Sequence, residues 1–255
     1  MKVSLITATY NSAHTIADCL ESIHRQSYRN IEHIVIDGLS KDNTLEIVEN
    51  HKIPFTTVFS GKDKGIYDAM NKGLQRATGD IIGILNSDDF YADEAVIADV
   101  VKAFEDPSID AVYGDLVYVD SRDTSRQLRY WKSGLMKPNS FLKGWMPPHP
   151  TFFVRKKLYE QYGGFETSLK SAADYELMLR FLYRYKVKAH YIPRVLVRMR
   201  VGGISNKSLL NRLRANREDR QAWKMNGLKP RFYTLYMKPL SKIFQFFEKN
   251  KGLHF

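Results

Sequence analysis

The sequence predicts an α/β protein whose mostly parallel sheet is flanked by helices, followed by a mixed β/α half and a basic helical appendage. Three observations carry this. Over the first hundred residues, short apolar runs alternate with amphipathic segments of helical period, joined by brief polar connections, which is the pattern of a parallel sheet covered by helices. Polar clusters sit where the apolar runs end, and in open α/β sheets ligands bind at the carboxyl ends of strands. A chain of 255 residues, 44% of them apolar, can bury a large core.

Taken in order, Val3–Ile6 reads as a first buried strand and 14–26 as an amphipathic helix. Ile31–Ile36 is a second strand, after which Ser40 and Thr44 bracket a helix start near Asp42. Phe55–Phe59 gives a third strand, 66–77 a helix, Ile81–Leu85 a fourth strand and 93–104 another helix. Beyond Asp106 the pattern turns to β-rich pieces at 111–119, 127–131, 151–154 and 187–200, mixed with helices at 155–162 and 172–185. Residues 207–225 read as a very basic helix. Residues 229–248 interleave cations with Phe232, Tyr233, Leu235, Tyr236, Met237, Leu240, Ile243, Phe244, Phe246 and Phe247. This divides the chain into 1–106, 107–205 and 206–255.

Composition narrows the function classes. The single cysteine, Cys19, lies among Ile16, Leu20 and Ile23 at helical spacing, as a buried thiol does, so disulfide and Cys-metal frameworks are excluded. No apolar stretch reaches the roughly eighteen uncharged residues that a membrane span needs, and the strand-like run at Val3 has no charged leader before it. A cytoplasmic location is expected. The 39 Lys and Arg against 28 Asp and Glu give +11, which suits an anionic partner: nucleic acid, anionic lipid or a phosphate-bearing substrate. The acids cluster before residue 125, and 194–251 holds most of the cationic surplus.

Several constellations carry chemistry. Asp88-Asp89 follows a buried strand and reads as a loop. Hard cations such as Mg²⁺ or Mn²⁺ take one or two carboxylates together with substrate phosphate oxygens; the alternative is an acidic first turn before the helix at 93–104. The run Ser60-Gly61-Lys62-Asp63-Lys64-Gly65 combines a glycine turn, cations and a helix start, features that favour phosphates. Beyond it Asp68, Asn71 and Lys72 fall on one helical face, available to a ligand or to surface pairing between Asp68 and Lys72. Ala172-Ala173-Asp174-Tyr175-Glu176 opens a helix with acids, and Pro147-Pro148-His149-Pro150 forms a rigid loop that pins His149. Trp131 and Trp145 are large enough to stack on sugar faces or to fill the core.

Thr7-Ala8-Thr9-Tyr10-Asn11, Ile36-Asp37-Gly38-Leu39-Ser40-Lys41-Asp42-Asn43-Thr44, Gly65-Ile66-Tyr67-Asp68-Ala69-Met70-Asn71-Lys72-Gly73, Gly79-Asp80 and Leu85-Asn86-Ser87-Asp88-Asp89 together resemble the ordered motifs of glycosyltransferase family 2, of the bacterial polysaccharide or O-antigen type. The resemblance spans residues 1–205. It implies a GT-A fold (a Rossmann-like sheet), a nucleotide-sugar donor, a divalent Mn²⁺ or Mg²⁺, and inversion at the anomeric carbon. By the same resemblance Thr7 and Thr9 flank the nucleobase pocket with Asn11 beside them. Asp37 bonds the base, although the acid that commonly follows it is Gly38 here. Lys64, Asp68, Asn71 and Lys72 face the donor, Asp88 lies near the ribose and sugar, and Asp89 holds the metal. Asp174 resembles the aspartate that activates the acceptor hydroxyl, with Glu176 the competing carboxylate, and His149 contacts acceptor or diphosphate.

The function expected from all this is transfer of a hexose or N-acetylhexosamine from a UDP sugar to a lipid-linked or growing saccharide, with the C-terminal segment resting on the inner face of the membrane. Two other classes compete. A nucleic-acid-binding protein fits the basic tail but lacks a helix-turn-helix, zinc or RNA-binding signature. A sugar-phosphate nucleotidyltransferase would open with a glycine-rich phosphate loop, and residues 7–12 contain no glycine.

Overall fold

The computed structural model describes residues 1–51, 53–202 and 209–237, with side chains described throughout except at 209–214. Among the described residues, nine strands form one sheet in the order β3-β2-β1-β4-β8-β6-β9-β5, with β7 paired to β6. The strands are β1 (Val3–Thr9), β2 (Ile31–Asp37), β3 (Thr56–Ser60), β4 (Ile81–Ile84), β5 (Asp89–Tyr91), β6 (Ala111–Val119), β7 (Gln127–Trp131), β8 (Phe153–Arg155) and β9 (Ala189–Arg200). The helices are α1 (Ile16–His24), α2 (Thr44–His51), α3 (Ile66–Arg76), α4 (Val96–Ala103), α5 (Lys156–Tyr162), α6 (Ala173–Met178) and α7 (Leu209–Met225).

The first four strands run parallel, as their apolar runs and helical crossovers predict. At β4 the direction changes: β8 pairs antiparallel to both β4 and β6, and β9 returns parallel to β6. Alternation along β1 sends Ile6 and Ala8 to one core layer, where Ala69 and Met70 of α3 cover them. Val3 and Leu5 point to the other layer, under Cys19 and Ile23 of α1 and Val100 of α4. A side chain at Gly73 would collide with Ile6, so α3 lies directly on β1.

Three boundaries differ from the sequence expectation. Asp89 is not in a loop: it begins β5, which pairs antiparallel with β9, and a strand of three residues is too short to display a period. The helix expected at 172–185 is α6 followed by a wider helical turn over Leu179–Arg184. The strand expected at 151–154 begins at Phe153, after a 3₁₀ turn over His149–Thr151. The C-terminal part is also no separate appendage as far as it is described. Trp223 is fully buried and donates its indole N–H to the Tyr175 hydroxyl at 2.8 Å, and the Thr234 hydroxyl bonds the Leu142 carbonyl at 2.6 Å. Lys238, Leu240, Lys242, Ile243, Phe244, Phe246, Phe247, Lys249 and Lys251 lie outside the described residues.

One buried carboxylate ties the amino-terminal edge of the sheet together. Glu32 accepts from the Ser4 hydroxyl, the Thr78 hydroxyl at 2.7 Å and Lys2 Nζ. Burial pushes its carboxyl upward, but these donors outweigh burial and bring it down to about 2. A carboxylate depressed on folding stabilises the protein above its unfolded value of 4.5, and the contribution fades as pH falls toward 2. Glu32→Gln is expected to cost about 1–2 kcal/mol at pH 7, lowering Tm by roughly 2–8 °C. Thermal melts of the two proteins should converge between pH 4.5 and 2, and parallel pH profiles would contradict this account.

Candidate functional site

The carboxyl ends of β1, β2, β3 and β4 bring four polar loops to one edge of the sheet. Thr9 pairs with Asp37, and Asp37 with Ser60. Asp37 is completely buried and accepts from Ser60 Oγ at 2.6 Å and from both the amide and the hydroxyl of Ser40. It therefore organises the pocket wall, and reaching a base would require exchanging one of these donors. Asn11 adopts φ 50°, a left-handed conformation that Asn tolerates. Its side-chain oxygen accepts from the Lys41 amide at 2.8 Å, and its own amide donates to Ser40 Oγ at 2.9 Å. Thr9 Oγ1 is buried without a hydrogen-bond partner. Thr7 differs from expectation: its hydroxyl meets His33 Nε2 at 3.0 Å and Cys19 Sγ at 3.8 Å inside the core, so it does not line the cleft.

Asp63 explains the glycine at position 38. A Cβ there would stand 2.5 Å from the Asp63 carboxylate and 3.4 Å from the Tyr10 ring. The space beside Gly38 is thus occupied by a carboxylate from the β3–α3 loop. The signal was the departure at Gly38, but sequence spacing alone does not say which side chain fills that space.

The face expected to present Asp68, Asn71 and Lys72 together is divided. Lys72 Nζ lies 3.0 Å from Asp68 and 2.6 Å from the Lys62 carbonyl, and the Lys64 amide also donates to Asp68. The hydrogen bond from Lys72, with that from Lys64, holds the Asp68 carboxyl below its usual range. These residues shape the glycine loop. Asn71 turns the other way and exchanges two 2.8 Å hydrogen bonds with the backbone of Phe165, so it joins the two halves of the molecule.

The acidic pair is also divided. Asp89 is 0% exposed, and Asp88 is partly exposed. Asn86 Nδ2 donates to Asp89 Oδ2 at 3.1 Å, while Asp89 Oδ1 and Asn86 Oδ1 are buried with no hydrogen-bond partner. Burial, reinforced by the neighbouring Asp88, pushes the Asp89 carboxyl well above the usual range, and burial raises Asp88 as well. Arg200 supports the turn from the end of β9. It donates to the Asp88 carbonyl at 2.9 Å, pairs with Asp18 and opposes both shifts. A lone arginine ending a long strand gave no sequence signal. No group of three metal-ligating side chains exists among the described residues. The fit is instead to a hard cation held by one or two oxygens here and by phosphate oxygens of a ligand: Asp88 faces the cleft, and two buried oxygens behind it lack partners. As placed, Asp89 is not the oxygen that meets the cleft.

The other half contributes Asp174, in the first turn of α6, which with Asp89 acts on the Tyr118 phenol. Tyr67 donates its hydroxyl to Asp174 Oδ1 at 3.3 Å, and burial followed by Asp174 pushes that phenol well upward. Tyr67 stacks on Phe165 at 5.7 Å, and the His149 ring meets the same Phe165 edge-on at 5.5 Å. Burial lowers the His149 imidazole, with Asp174 opposing. Glu176 is excluded as an open carboxylate. It is buried, bridged by Arg180 at 2.8 and 3.0 Å, and bonded by Asn226 Nδ2 at 2.9 Å. Arg180 in turn holds the carbonyls of Tyr162, Gly163 and Gly164.

Comparison with known proteins identifies the family. The sequence matches Glycosyl transferase family 2 over residues 4–163. The chain is a family 2 glycosyltransferase. It is 32% identical over 194 residues to an uncharacterized glycosyltransferase of Mycobacterium tuberculosis, covering 70% of this chain and 68% of the relative. It is 29% identical over 221 residues to a PGL/p-HBAD biosynthesis glycosyltransferase of Mycobacterium bovis, covering 82% and 83%. Among solved structures, Staphylococcus aureus TarS 1–349 in complex with UDP-GlcNAc superposes with a TM-score of 0.69 at 20% identity, covering 89% of the transferase and 65% of that chain. The Pyrobaculum calidifontis mannosyltransferase in complex with GDP-Man and Mn²⁺ gives 0.66 at 23%, covering 93% and 68%. These likenesses establish a GT-A fold for the transferase.

Proposed function

We propose that the transferase moves a hexose or N-acetylhexosamine, with inversion, from a UDP sugar to a hydroxyl of a lipid-linked or growing saccharide during cell-surface polysaccharide synthesis. The observation that carries this reading is that Asp174, held by Tyr67, and Asp89 of the acidic turn, though far apart in the chain, both act on one phenol, that of Tyr118. Asp174 accepts the proton of the acceptor hydroxyl as that oxygen attacks the anomeric carbon, and the nucleoside diphosphate departs on the far side. Asp88, backed by Asp89 and Asn86, is the group that would hold Mn²⁺ or Mg²⁺, which supplies Lewis-acid stabilisation of the leaving diphosphate. Thr9, Asn11, Asp37 and Asp63 form the wall for base and ribose, with Lys64 at the mouth, and His149 offers a ring nitrogen to acceptor or phosphate. The TarS and mannosyltransferase complexes, with UDP-GlcNAc and GDP-Man, support a nucleotide-sugar donor. Thermal shift against UDP and GDP sugars with Mn²⁺ tests this reading, because a ligand that binds only the folded state at 100 times its Kd adds about 2.7 kcal/mol. No shift with any of them would overturn it.

The acceptor class is supported by a second surface. Arg220, Lys224, Lys229 and Arg231 surround a cavity of about 530 Å³ floored by Leu228 and Leu235, and the adjoining Phe232 is 89% exposed. Cations around an exposed aromatic suit an interfacial contact with anionic headgroups, where each cation contributes about 1 kcal/mol. No helix among the described residues is long and apolar enough to cross a membrane. Replacing Arg220, Lys224 and Lys229 by Gln is expected to reduce sedimentation with phosphatidylglycerol vesicles, with turnover on a soluble acceptor retained. Unchanged sedimentation would remove the membrane role.

A further inference from the structure

The sheet itself presents a second surface inside the cleft. Strand register places Asp89 opposite Met199, Met199 opposite Tyr118, and Tyr118 opposite Arg129. Paired residues share a face of a sheet, so these four side chains form one row across β5, β9, β6 and β7, beginning at the acidic turn. The adjacent row, Tyr91, Val197, Leu116 and Trp131, ends on the same strand. The Trp131 and Tyr118 rings lie 3° from parallel with centroids 6.5 Å apart. The Arg129 guanidinium sits 3.7 Å over the Tyr118 ring. Met199, Arg129 and Trp131 are all partly exposed. Trp145, the other tryptophan weighed as a sugar contact, instead gives its indole N–H to the Ser133 carbonyl at 2.7 Å and packs edge-on to Tyr113 and Phe141.

Two carboxylates locate this floor. Burial is the main reason the Tyr118 phenol is raised and Arg129 opposes it, but Asp89 and Asp174 both contribute to raising it. The row therefore lies within electrostatic reach of both the acidic turn, where its register begins, and Asp174.

We infer that Trp131 and Arg129, backed by the buried Tyr118 and flanked by Met199, form the platform on which the acceptor hexopyranoside lies, the apolar C–H face of its ring on the Trp131 indole. Binding sites of this class pair an apolar wall with a few placed polar groups. Here the Trp131 indole supplies the wall, the buried Tyr118 holds Arg129 in place, and the Arg129 fork supplies planar donors to ring hydroxyls. A sugar on this floor turns one edge toward Asp174 and the other toward the donor turn, as transfer requires. The inference rests on the transferase reading above, and it names the residues that select the acceptor. Trp131 and Arg129 act as specificity residues, distinct from the donor wall.

The test uses the full chain labelled with 5-fluorotryptophan, whose three tryptophans give three ¹⁹F resonances, with Trp131→Phe assigning one of them. The protein, with UDP and Mn²⁺ present, is titrated with methyl glycosides of glucose, galactose, mannose and N-acetylglucosamine. At least one glycoside is expected to move the Trp131 resonance saturably and leave those of Trp145 and Trp223 in place. Tyr118→Leu and Arg129→Gln should weaken that titration roughly 3- to 10-fold, the scale of a lost ring contact, with UDP affinity unchanged. If no glycoside moves the Trp131 resonance, or if Tyr118→Leu and Arg129→Gln leave its titration intact, the platform is overturned. Failure of UDP to bind counts against the donor reading instead, and the glycoside titration still decides the platform.

Discussion

Asp174→Asn is expected to lower kcat by about 10²–10⁴-fold, the contribution of a positioned general base, with nucleoside diphosphate binding close to that of the unaltered enzyme. The amide matches the carboxylate in shape and still accepts the Tyr67 hydroxyl, so the stacked Tyr67 and Phe165 rings have no reason to move. What it cannot do is take a proton at neutral pH. The support beneath it is also undisturbed, because Tyr175 and Trp223 pack behind α6 and Glu218 accepts from the Lys170 and Ser171 amides just ahead of it. Glu176→Gln should behave in the opposite way. It breaks a buried bridge to Arg180 that holds three carbonyls of the 162–164 turn, and it costs up to about 3–5 kcal/mol of stability. Activity per folded molecule should survive. Single-turnover transfer and calorimetry with UDP on both variants separate the two carboxylates. A folded, inactive Glu176→Gln beside an active Asp174→Asn would exchange their roles.

The donor half was legible because its signals are local. A buried strand followed by a polar cluster recurs four times, and each cluster reaches the same sheet edge whatever the rest of the chain does. The second half was legible only as pieces. The reversal at β8 and the pairing of β5 with β9 join residues far apart in the chain, Ile82 with Val154 and Asp89 with Met199, and nothing in a three-residue strand announces its partner. The same limit divided motifs that look uniform in sequence. Helical spacing puts Asn71 and Lys72 side by side, yet one binds the Phe165 backbone and the other the Lys62 carbonyl. Asp88 and Asp89 are neighbours, but strand alternation sends one carboxylate inward. Asp63, Arg200 and the Tyr118 row needed tertiary placement to be noticed at all.

That inward turn makes the acidic pair the sharpest remaining test. Asp88→Asn is expected to remove stimulation of turnover by Mn²⁺ or Mg²⁺, a loss on the order of 10²–10³-fold, comparable to deleting one preorganised electrostatic contact to a developing anion. Asp89→Asn should show a different signature, in stability. A carboxyl whose folded value is raised binds its proton more tightly in the native state, so stability falls as pH climbs above the ordinary value of 3.8 and stays lost above the raised one. With divalent cations chelated, Asp89→Asn is therefore expected to melt higher than the unaltered enzyme at pH 7, and the gain should vanish as pH approaches 3.8. Added Mn²⁺ should narrow the difference, because a cation beside Asp88 favours the ionised form of the carboxylate behind it. Melting curves across pH with and without Mn²⁺, read beside turnover, separate a cleft ligand from a buried support. If Asp89→Asn loses cation stimulation and Asp88→Asn keeps it, Asp89 must turn outward when the diphosphate and cation bind, and the ligand assignment passes back to it.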